Sequence, residues 1–193
     1  GCGGASPGYC IDCIPGQFVG ASGCEDCPVG RHSIDFNHNG ACTTCPAGKY
    51  QTERKKTSCV GCAAGKRGAA AVSVASTAHC ELCETGRSQP KEAEESCNAC
   101  AAGTHANVTG ASECFECATG RFAAAAGAVA CDACAPGTAS AETRSKKCSN
   151  CAAGEYQSAS GSSTCLQCKN GRFQNVTGQT RCRACSTCAS NGV

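Results

Sequence analysis

The sequence predicts a small disulfide-rich fold: an elongated tandem array of about ten repeats of about 17 residues, built from short β-hairpins and loops with little helix. Three observations lead to this prediction. Cysteine supplies 24 of the 193 residues, pairs of cysteines recur at a constant interval, and a glycine follows each pair at a fixed distance. Each observation constrains a different level of the fold, from composition to local backbone.

The composition leaves little material for a hydrophobic core. Valine, isoleucine and leucine occupy only 14 positions, tyrosine and phenylalanine eight, and the chain has no tryptophan or methionine. Burying one such side chain stabilises a fold by about 1.5–3 kcal/mol, whereas ordering each residue's backbone costs about 1–2 kcal/mol. Crosslinks between cysteines, covalent or through a metal ion, must therefore supply the difference.

The charges argue against several classes of partner. The net charge is +2, from 17 basic and 15 acidic residues scattered along the chain, so no long-range field favours nucleic acid or an anionic membrane. The uncharged stretches are too short and too rich in alanine, glycine and serine to span a bilayer. We expect no membrane span in this segment, and a mature or trimmed fragment whose export signal lies upstream of Gly1.

Cysteine pairs of the form Cys-x2-Cys divide the chain into repeats. From Cys80 to Cys182 each pair begins 17 residues after the one before it, and upstream the pairs continue with three segments of changed length. We predict a partial unit at 1–12, an array at 13–185 and the start of a further, truncated unit at 186–193. Repeats 1 to 10 span 13–27, 27–45, 45–62, 62–83, 83–100, 100–117, 117–134, 134–151, 151–168 and 168–185. Positions within a repeat are counted from its first cysteine as position 0.

Glycine occupies position 3 of all ten repeats, which implies a demand of the backbone. We predict a turn with positive φ, or close contact between this backbone and a neighbouring disulfide, since glycine alone meets either without penalty. The ten residues are Gly16, Gly30, Gly48, Gly65, Gly86, Gly103, Gly120, Gly137, Gly154 and Gly171.

Two further positions repeat less strictly. Position 5 is aromatic or histidine in seven repeats, and we predict that this side chain lies over the disulfide as the miniature core of its unit. Four of the seven repeats of 17 residues add a second glycine at position 10, which predicts the turn of a short hairpin. The residues at position 5 are Phe18, His32, Tyr50, His105, Phe122, Tyr156 and Phe173, and the second glycines are Gly110, Gly127, Gly161 and Gly178.

The cysteines are suited either to disulfides or to metal binding. Their spacing is close to that of four-cysteine zinc sites. Each such site would consume two pairs and impose an alternation over two repeats, which the sequence lacks, and no histidine replaces a cysteine. Disulfides are therefore favoured, with no cofactor; a zinc-binding or other thiolate-metal array is the alternative, and a redox array lacks the strand and helix pattern it would need.

One disulfide connectivity extends along the whole array: the second cysteine of each pair bonds the first cysteine of the next. The main alternative joins each pair twice to the next pair, which again needs a period of two repeats. Cys2 is then left for Cys10, and Cys185 and Cys188 for each other or for a missing segment. The favoured pairs are Cys13–Cys24, Cys27–Cys42, Cys45–Cys59, Cys62–Cys80, Cys83–Cys97, Cys100–Cys114, Cys117–Cys131, Cys134–Cys148, Cys151–Cys165 and Cys168–Cys182.

Two Asn-Val-Thr tripeptides are candidate N-glycosylation sites, at Asn107 and Asn175. Both asparagines lie at position 7 of their repeats; the simpler interpretation is that Asn and Thr are ordinary turn residues. For catalysis the sequence offers no arrangement of nucleophile, base and carboxylate: His38 and His105 lie in turns, and Glu92 lies in a cluster of charges expected to be solvated. We predict that the protein is not an enzyme.

The segment Cys45-Pro-Ala-Gly-Lys-Tyr50, followed by Cys59-x-x-Cys62, resembles the ephrin-receptor-like cysteine-rich repeat, and it is also similar to the first loop of tumour-necrosis-factor-receptor modules. The resemblance covers Cys13 to Cys185 and implies local disulfides and an extracellular or cell-surface location. Such repeats also occur in large surface glycoproteins of protists and algae, including flagellar-hair (mastigoneme-type) proteins. Departures are the scarcity of proline after the first cysteine and the loss of the aromatic residue in three repeats.

The function expected from these features is that of an extracellular structural glycoprotein, a disulfide-stapled repeat segment of a cell-surface coat, stalk or filament. Its partners would be copies of itself or other extracellular proteins, with N-linked glycans attached. A receptor or adhesion ectodomain that binds a protein ligand is the first alternative, and a cysteine-rich zinc-binding protein is the second.

Overall fold

Each repeat folds into one two-stranded antiparallel hairpin. The computed structural model describes residues 13–36, 41–68 and 79–185. Within these ranges the chain forms strands β1 to β20, which pair consecutively into two-stranded sheets, and no α-helix. The strands are β1 (Gln17–Gly20), β2 (Gly23–Asp26), β3 (Arg31–His32), β4 (Thr43–Thr44), β5 (Lys49–Tyr50), β6 (Val60–Gly61), β7 (Lys66–Gly68), β8 (Cys80–Leu82), β9 (Arg87–Ser88), β10 (Asn98–Ala99), β11 (Thr104–His105), β12 (Phe115–Glu116), β13 (Arg121–Phe122), β14 (Asp132–Ala133), β15 (Thr138–Ala139), β16 (Ser149–Asn150), β17 (Glu155–Tyr156), β18 (Leu166–Gln167), β19 (Arg172–Phe173) and β20 (Arg183–Ala184).

A glycine turn starts every hairpin. In repeat 6 the Thr104 amide donates to the Ala101 carbonyl at 2.9 Å, which closes a four-residue turn around Gly103. A positive φ at the third residue of such a turn is the requirement of a type II turn, and Gly103 has φ of 89°. All ten glycines at position 3 have positive φ, so the predicted turn is confirmed.

The hairpin register is the same in repeats of 17 residues. Positions 4 and 5 pair there with positions 16 and 15, as in Thr104↔Glu116 and His105↔Phe115. The second strand ends just before the first cysteine of the following repeat, so strand pairing and disulfide closure act on the same short segment. The predicted fold class, a small disulfide-rich tandem array of short hairpins, is confirmed over the described ranges.

Ten consecutive disulfides close the repeats, and they follow the nearest-neighbour scheme favoured by the sequence. The bonded residues lie 14 apart in all six repeats from Cys83 onward and in the one at Cys45, with Cα–Cα distances near 5.6 Å as in Cys100–Cys114. Cys185 is also disulfide-bonded; Cys2, Cys10 and Cys188 lie outside the described residues. The remaining pairs are Cys13–Cys24, Cys27–Cys42 and Cys62–Cys80.

The interior consists of cysteines and of the residue at position 6. The first cysteine of most repeats is fully buried. Position 6 is buried in repeats 2 to 10, although its residues range from polar glutamine and serine to alanine and glycine. Position 5, predicted to be the miniature core, is only half-buried in most repeats, and Phe173 is 42% exposed. The residues at position 6 are Ser33, Gln51, Gly68, Gln89, Ala106, Ala123, Ser140, Gln157 and Gln174.

Glutamine at position 6 holds the loop that joins the two strands. The Gln157 Nε2 donates to the Thr164 carbonyl at 2.7 Å, and its Oε1 accepts from the Ala159 amide at 3.0 Å. The same two bonds recur at Gln51, Gln89 and Gln174. A buried amide side chain that satisfies two backbone groups replaces the apolar side chain that other folds place in such an interior.

Removing this contact leaves two backbone groups without their partner. We expect Gln157→Ala to lower the free energy of unfolding by about 2 kcal/mol, because each unsatisfied group costs about 1 kcal/mol or more. The matched control is Gln167→Ala, whose exposed side chain bonds only the Glu155 carboxylate; it should cost about 0.5 kcal/mol or less. Guanidinium denaturation with the disulfides intact measures both, and equal losses would contradict this role for Gln157.

Backbone hydrogen bonds join each repeat to the next. The Gly103 amide donates to the carbonyl at position 6 of the following repeat, Ala123, at 2.9 Å. The Ala106 amide donates in the same direction, to the Ala128 carbonyl at 3.1 Å. In the opposite direction, the Gly127 amide donates to the Cys100 carbonyl at 2.7 Å. Equivalent bonds recur along the described chain, so a repeat is completed by its neighbour as in other repeat proteins.

Position 10 requires the left-handed backbone even where glycine is absent. Its amide donates to the carbonyl of the first cysteine of the preceding repeat in seven repeats, and φ at position 10 is positive in all eight repeats in which this residue is described. The predicted turn glycines at this position lie in the loop between the strands. In three repeats a residue with a side chain adopts the same conformation: Lys55, Ala93 and Arg144, with φ of 60°, 61° and 59°.

Replacing Ala93 with glycine should therefore stabilise the protein. A left-handed conformation costs a residue with a Cβ about 1–2 kcal/mol, and the added freedom of glycine in the unfolded chain offsets about half of that. We expect Ala93→Gly to raise the free energy of unfolding by about 0.5–1 kcal/mol, measured by denaturant titration. Ala124→Gly, at an exposed residue without positive φ, should lower it by a similar amount; a loss in both variants would contradict the argument.

The described residues group into two compact units. The first holds the residues up to Glu84 together with Ser88–Asn98 and Thr109–Glu113. The second holds Thr85–Arg87, Ala99–Val108 and the residues from Cys114 on. Because both units take segments from repeats 5 and 6, their boundary does not fall between two whole repeats.

Candidate functional site

The glycine at position 3 lies against the backbone of the repeat two further along. A Cβ built on Gly103 would lie 2.0 Å from the Arg144 carbonyl oxygen, and one built on Gly120 would lie 2.0 Å from the Gly161 carbonyl oxygen. The close approach predicted at this glycine therefore exists, but its partner is a carbonyl at position 10 rather than a disulfide. The same contact occurs at Gly16, Gly48, Gly65, Gly86 and Gly137.

Histidine at position 5 contacts a disulfide, but the one of the following repeat. His105 Nδ1 lies 3.2 Å from Cys131 Sγ, and His32 Nδ1 lies 3.3 Å from Cys59 Sγ. The prediction that position 5 covers the disulfide of its own unit is therefore wrong at these two residues. These histidines lie in the first strand of their hairpins and contact the disulfide of the next repeat, so position 5 contributes there to the junction between repeats.

The two histidines also form the groups of the described chain that most resemble metal sites. His105 lies with Cys117 and Cys131, and the ligand atoms of the three residues lie within 4.8 Å of one another; His32 forms the same group in repeat 3. The two cysteines of each group are bonded to each other. Zinc binds the thiolate form of cysteine, so these sulfurs offer no thiolate ligand while the disulfides are intact.

Both candidate glycosylation residues are exposed. Asn107 follows the fully buried Ala106, and Asn175 follows the buried Gln174. Because the residue before each asparagine points into the repeat, the loop presents position 7 to solvent. The third residues of the tripeptides, Thr109 and Thr177, are exposed as well.

Arginine at position 4 fixes the hairpin, a role that sequence reasoning missed. The Arg31 guanidinium donates to the Cys42 carbonyl at 2.8 Å, and Arg121 donates to the Cys131 carbonyl at 3.0 Å. Position 4 is basic in six of the ten repeats, which is the signal that would have indicated it. These guanidinium groups therefore stabilise the hairpin, and only N–H groups that make no such bond are available to a ligand.

The described candidates for chemistry, Glu92 and His105, lie in different repeats. Glu92 lies on an exposed loop, and His38 lies outside the described residues. His105 has as neighbours a disulfide sulfur and the Phe115 ring, whose centroid lies 6.1 Å from its own. The described residues form no helix with the length and apolar character needed to cross a bilayer.

The comparisons with known proteins agree with this architecture. The family model described as "Tyrosine-protein kinase ephrin type A/B receptor-like" matches residues 103–151, which hold most of repeat 6 and all of repeats 7 and 8. No curated protein matches the chain. Many disulfides and a match to this family are typical of an extracellular or cell-surface protein. The chain is therefore a cysteine-rich tandem-repeat protein whose segment 103–151 is similar to the ephrin-receptor-like family.

Proposed function

We propose that the chain is an extracellular structural glycoprotein, a disulfide-stapled repeat segment of a cell-surface coat, stalk or filament. The observation that carries the proposal is the regular joining of repeats. Each of the ten repeats closes its own disulfide, and repeats 1 to 9 bond the next repeat through the same backbone atoms, as at Gly103 and Ala123. Stability is thereby distributed evenly along the chain, which suits a load-bearing element. The fold and the matching family favour a non-catalytic ectodomain.

The glycan part of the proposal rests on exposure. N-linked glycans would sit at Asn107 and Asn175, where the buried residue before each asparagine turns it towards solvent. Peptide mapping of the secreted protein under non-reducing conditions, with glycan detection, tests it. Thr109→Ala and Thr177→Ala should each remove one glycan, whereas Thr119→Ala, outside any such tripeptide, should remove none. Unmodified asparagines in protein secreted by a glycosylating cell would refute this part.

The structural role is tested by assembly. Electron microscopy and sedimentation of the purified chain should show fibres or ordered oligomers that grow with concentration. Copies joined through a repeated surface can dock in register, because each repeat presents the same backbone at the same interval. A chain that stays monomeric at high concentration would contradict assembly of this segment by itself.

A receptor or adhesion ectodomain is the second candidate, and the family match at 103–151 favours it. It predicts saturable binding of one protein ligand by the monomeric chain. The zinc-binding alternative needs free thiolates, and the described cysteines are oxidised. Thiol titration of the unfolded protein without reductant distinguishes it, since disulfides predict no reactive thiol and zinc sites predict many after chelation.

A further inference from the structure

Repeat 10 differs from all other repeats in its charge. It carries Lys169, Arg172, Arg181 and Arg183 and no acidic residue, whereas each of repeats 1 to 9 contains at least one aspartate or glutamate. The chain as a whole has a net charge of only +2. A local excess of four cations in 18 residues is therefore concentrated at this repeat.

Three of these cations line one cavity. A space of about 250 Å³ is lined by Lys169, Arg172, Arg181, Cys182 and the Tyr156 side chain of repeat 9. The cations occupy positions 1, 4 and 13 of the repeat, which the hairpin and its glycine turn bring to one side. Lys169, Arg172 and Arg181 are exposed, so a ligand reaches them from solvent.

The same cavity exists one repeat earlier with different chemistry. There the equivalent positions are Ala152, Glu155, Thr164 and Cys165, with Ala139 in place of the tyrosine, and they line a larger space of about 640 Å³. The fold therefore builds the cavity, and the side chains decide its charge. At the equivalent positions the earlier cavity has one carboxylate, Glu155, where the later cavity has three cations and the ring of Tyr156.

The cations of repeat 10 have few partners within the described chain. None of the ion pairs between described residues involves them. Arg172 Nη1 lies 3.5 Å from the Cys182 carbonyl oxygen, which leaves its other donors unused. The Arg181 carbonyl accepts from Gln174 Nε2 at 3.1 Å. That bond fixes the backbone that carries Arg181, so the cationic group is partly arranged before any ligand binds.

We propose that this cavity binds sulfate esters of an acidic polysaccharide. Guanidinium groups pair with oxyanions through two parallel hydrogen bonds, and a lysine adds a point charge. The Tyr156 ring offers an apolar face for a sugar ring and a hydroxyl for a hydrogen bond. An inorganic anion would use the charges and leave the ring uncovered, so the ring favours a sulfated sugar. The site suits either proposed role of the chain and does not depend on assembly.

The first experiment compares two variants with the same loss of charge. Lys169→Gln with Arg181→Gln removes two cavity cations and keeps Arg172 in its hairpin. Lys146→Gln with Lys147→Gln removes two cations from repeat 8. Binding of dextran sulfate, with uncharged dextran as the blank, is measured by calorimetry on disulfide-intact protein whose melting temperature has been checked. We expect the first variant to bind about tenfold or more weakly and the second to stay within about threefold.

The second experiment moves the site. Ala139→Tyr, Ala152→Lys, Glu155→Arg and Thr164→Arg together should create a second cavity of the same kind in repeat 9, raising the stoichiometry for a sulfated disaccharide from one to two. Equal weakening in both charge variants, or an unchanged stoichiometry in a folded quadruple variant, would overturn the proposal. Inorganic sulfate that competes at the same concentration as the disaccharide would show an anion site without sugar recognition and would overturn it too.

Discussion

Gly120→Ala should destabilise the protein by about 3–5 kcal/mol, while Gly154→Ala should cost only about 1–2 kcal/mol. Both residues have a strongly positive φ, 76° and 87°, so both variants incur the penalty of a Cβ in that conformation. A Cβ on Gly120 would also lie 2.0 Å from the Gly161 carbonyl oxygen, whereas one on Gly154 would meet no described atom within 4 Å. The difference between the variants isolates the contact between repeat 7 and repeat 9.

The carbonyl at Gly161 cannot retreat freely. Its own amide donates to the Cys134 carbonyl at 2.7 Å, so movement of this turn would break a bond between repeats. Denaturant titration of the two variants, with the disulfides intact, measures the difference. Gly171→Ala is a second control, since it too has positive φ and open space. Equal costs at Gly120 and Gly154 would show that contact over two repeats contributes nothing.

Removing the disulfide of repeat 7 should have the second large effect. We expect Cys117→Ser with Cys131→Ser to lower the free energy of unfolding by about 3 kcal/mol or more, because closing a loop of this length restricts the unfolded chain by that amount. The loss should spread to repeats 6 and 8. Ala123 of the weakened repeat accepts from Gly103, and the Cys117 carbonyl accepts from Arg144.

Hydrogen exchange detected by mass spectrometry resolves this spread. The central variant should lose protection in repeats 6, 7 and 8. Cys168→Ser with Cys182→Ser, in the last described repeat, is the control: its described bonds to another repeat all run to the preceding one, so protection should be lost in repeats 9 and 10 and kept in repeats 6 to 8. Loss of protection confined to repeat 7 in the central variant would contradict the coupling between repeats.

Cysteine and glycine carried most of what could be predicted. Cysteine spacing is a geometric constraint that is visible in one dimension, and glycine at position 3 reports a positive φ that other residues avoid. The fold class and the turn at Gly103 could therefore be predicted. The partner of that glycine could not, because contact between repeats 6 and 8 depends on how successive hairpins stack, which no local pattern encodes.

The buried position 6 escaped prediction for a different reason. It holds glutamine, serine, alanine and glycine in different repeats, so hydropathy has no signal there. What these residues share is burial, beside the disulfide in the case of Ala123, and in four repeats a glutamine that bonds the loop, as Gln157 does. The core was instead predicted at the aromatic residues of position 5, although Tyr156 is only half-buried and Phe173 is exposed.

The nearest-neighbour disulfides also determine how far the chain can be drawn out. Tension applied to the two ends of the chain is transmitted through the disulfide between Cys117 and Cys131, whose Cα atoms are 5.6 Å apart. It then passes through the three peptide units that lead to Cys134. The enclosed loop carries no tension. A fully unravelled repeat therefore adds only about 16 Å of contour length, against about 60 Å for a reduced chain of the same 17 residues. Intact disulfides therefore limit how far the chain can be extended, and their reduction by surrounding thiols would raise that limit.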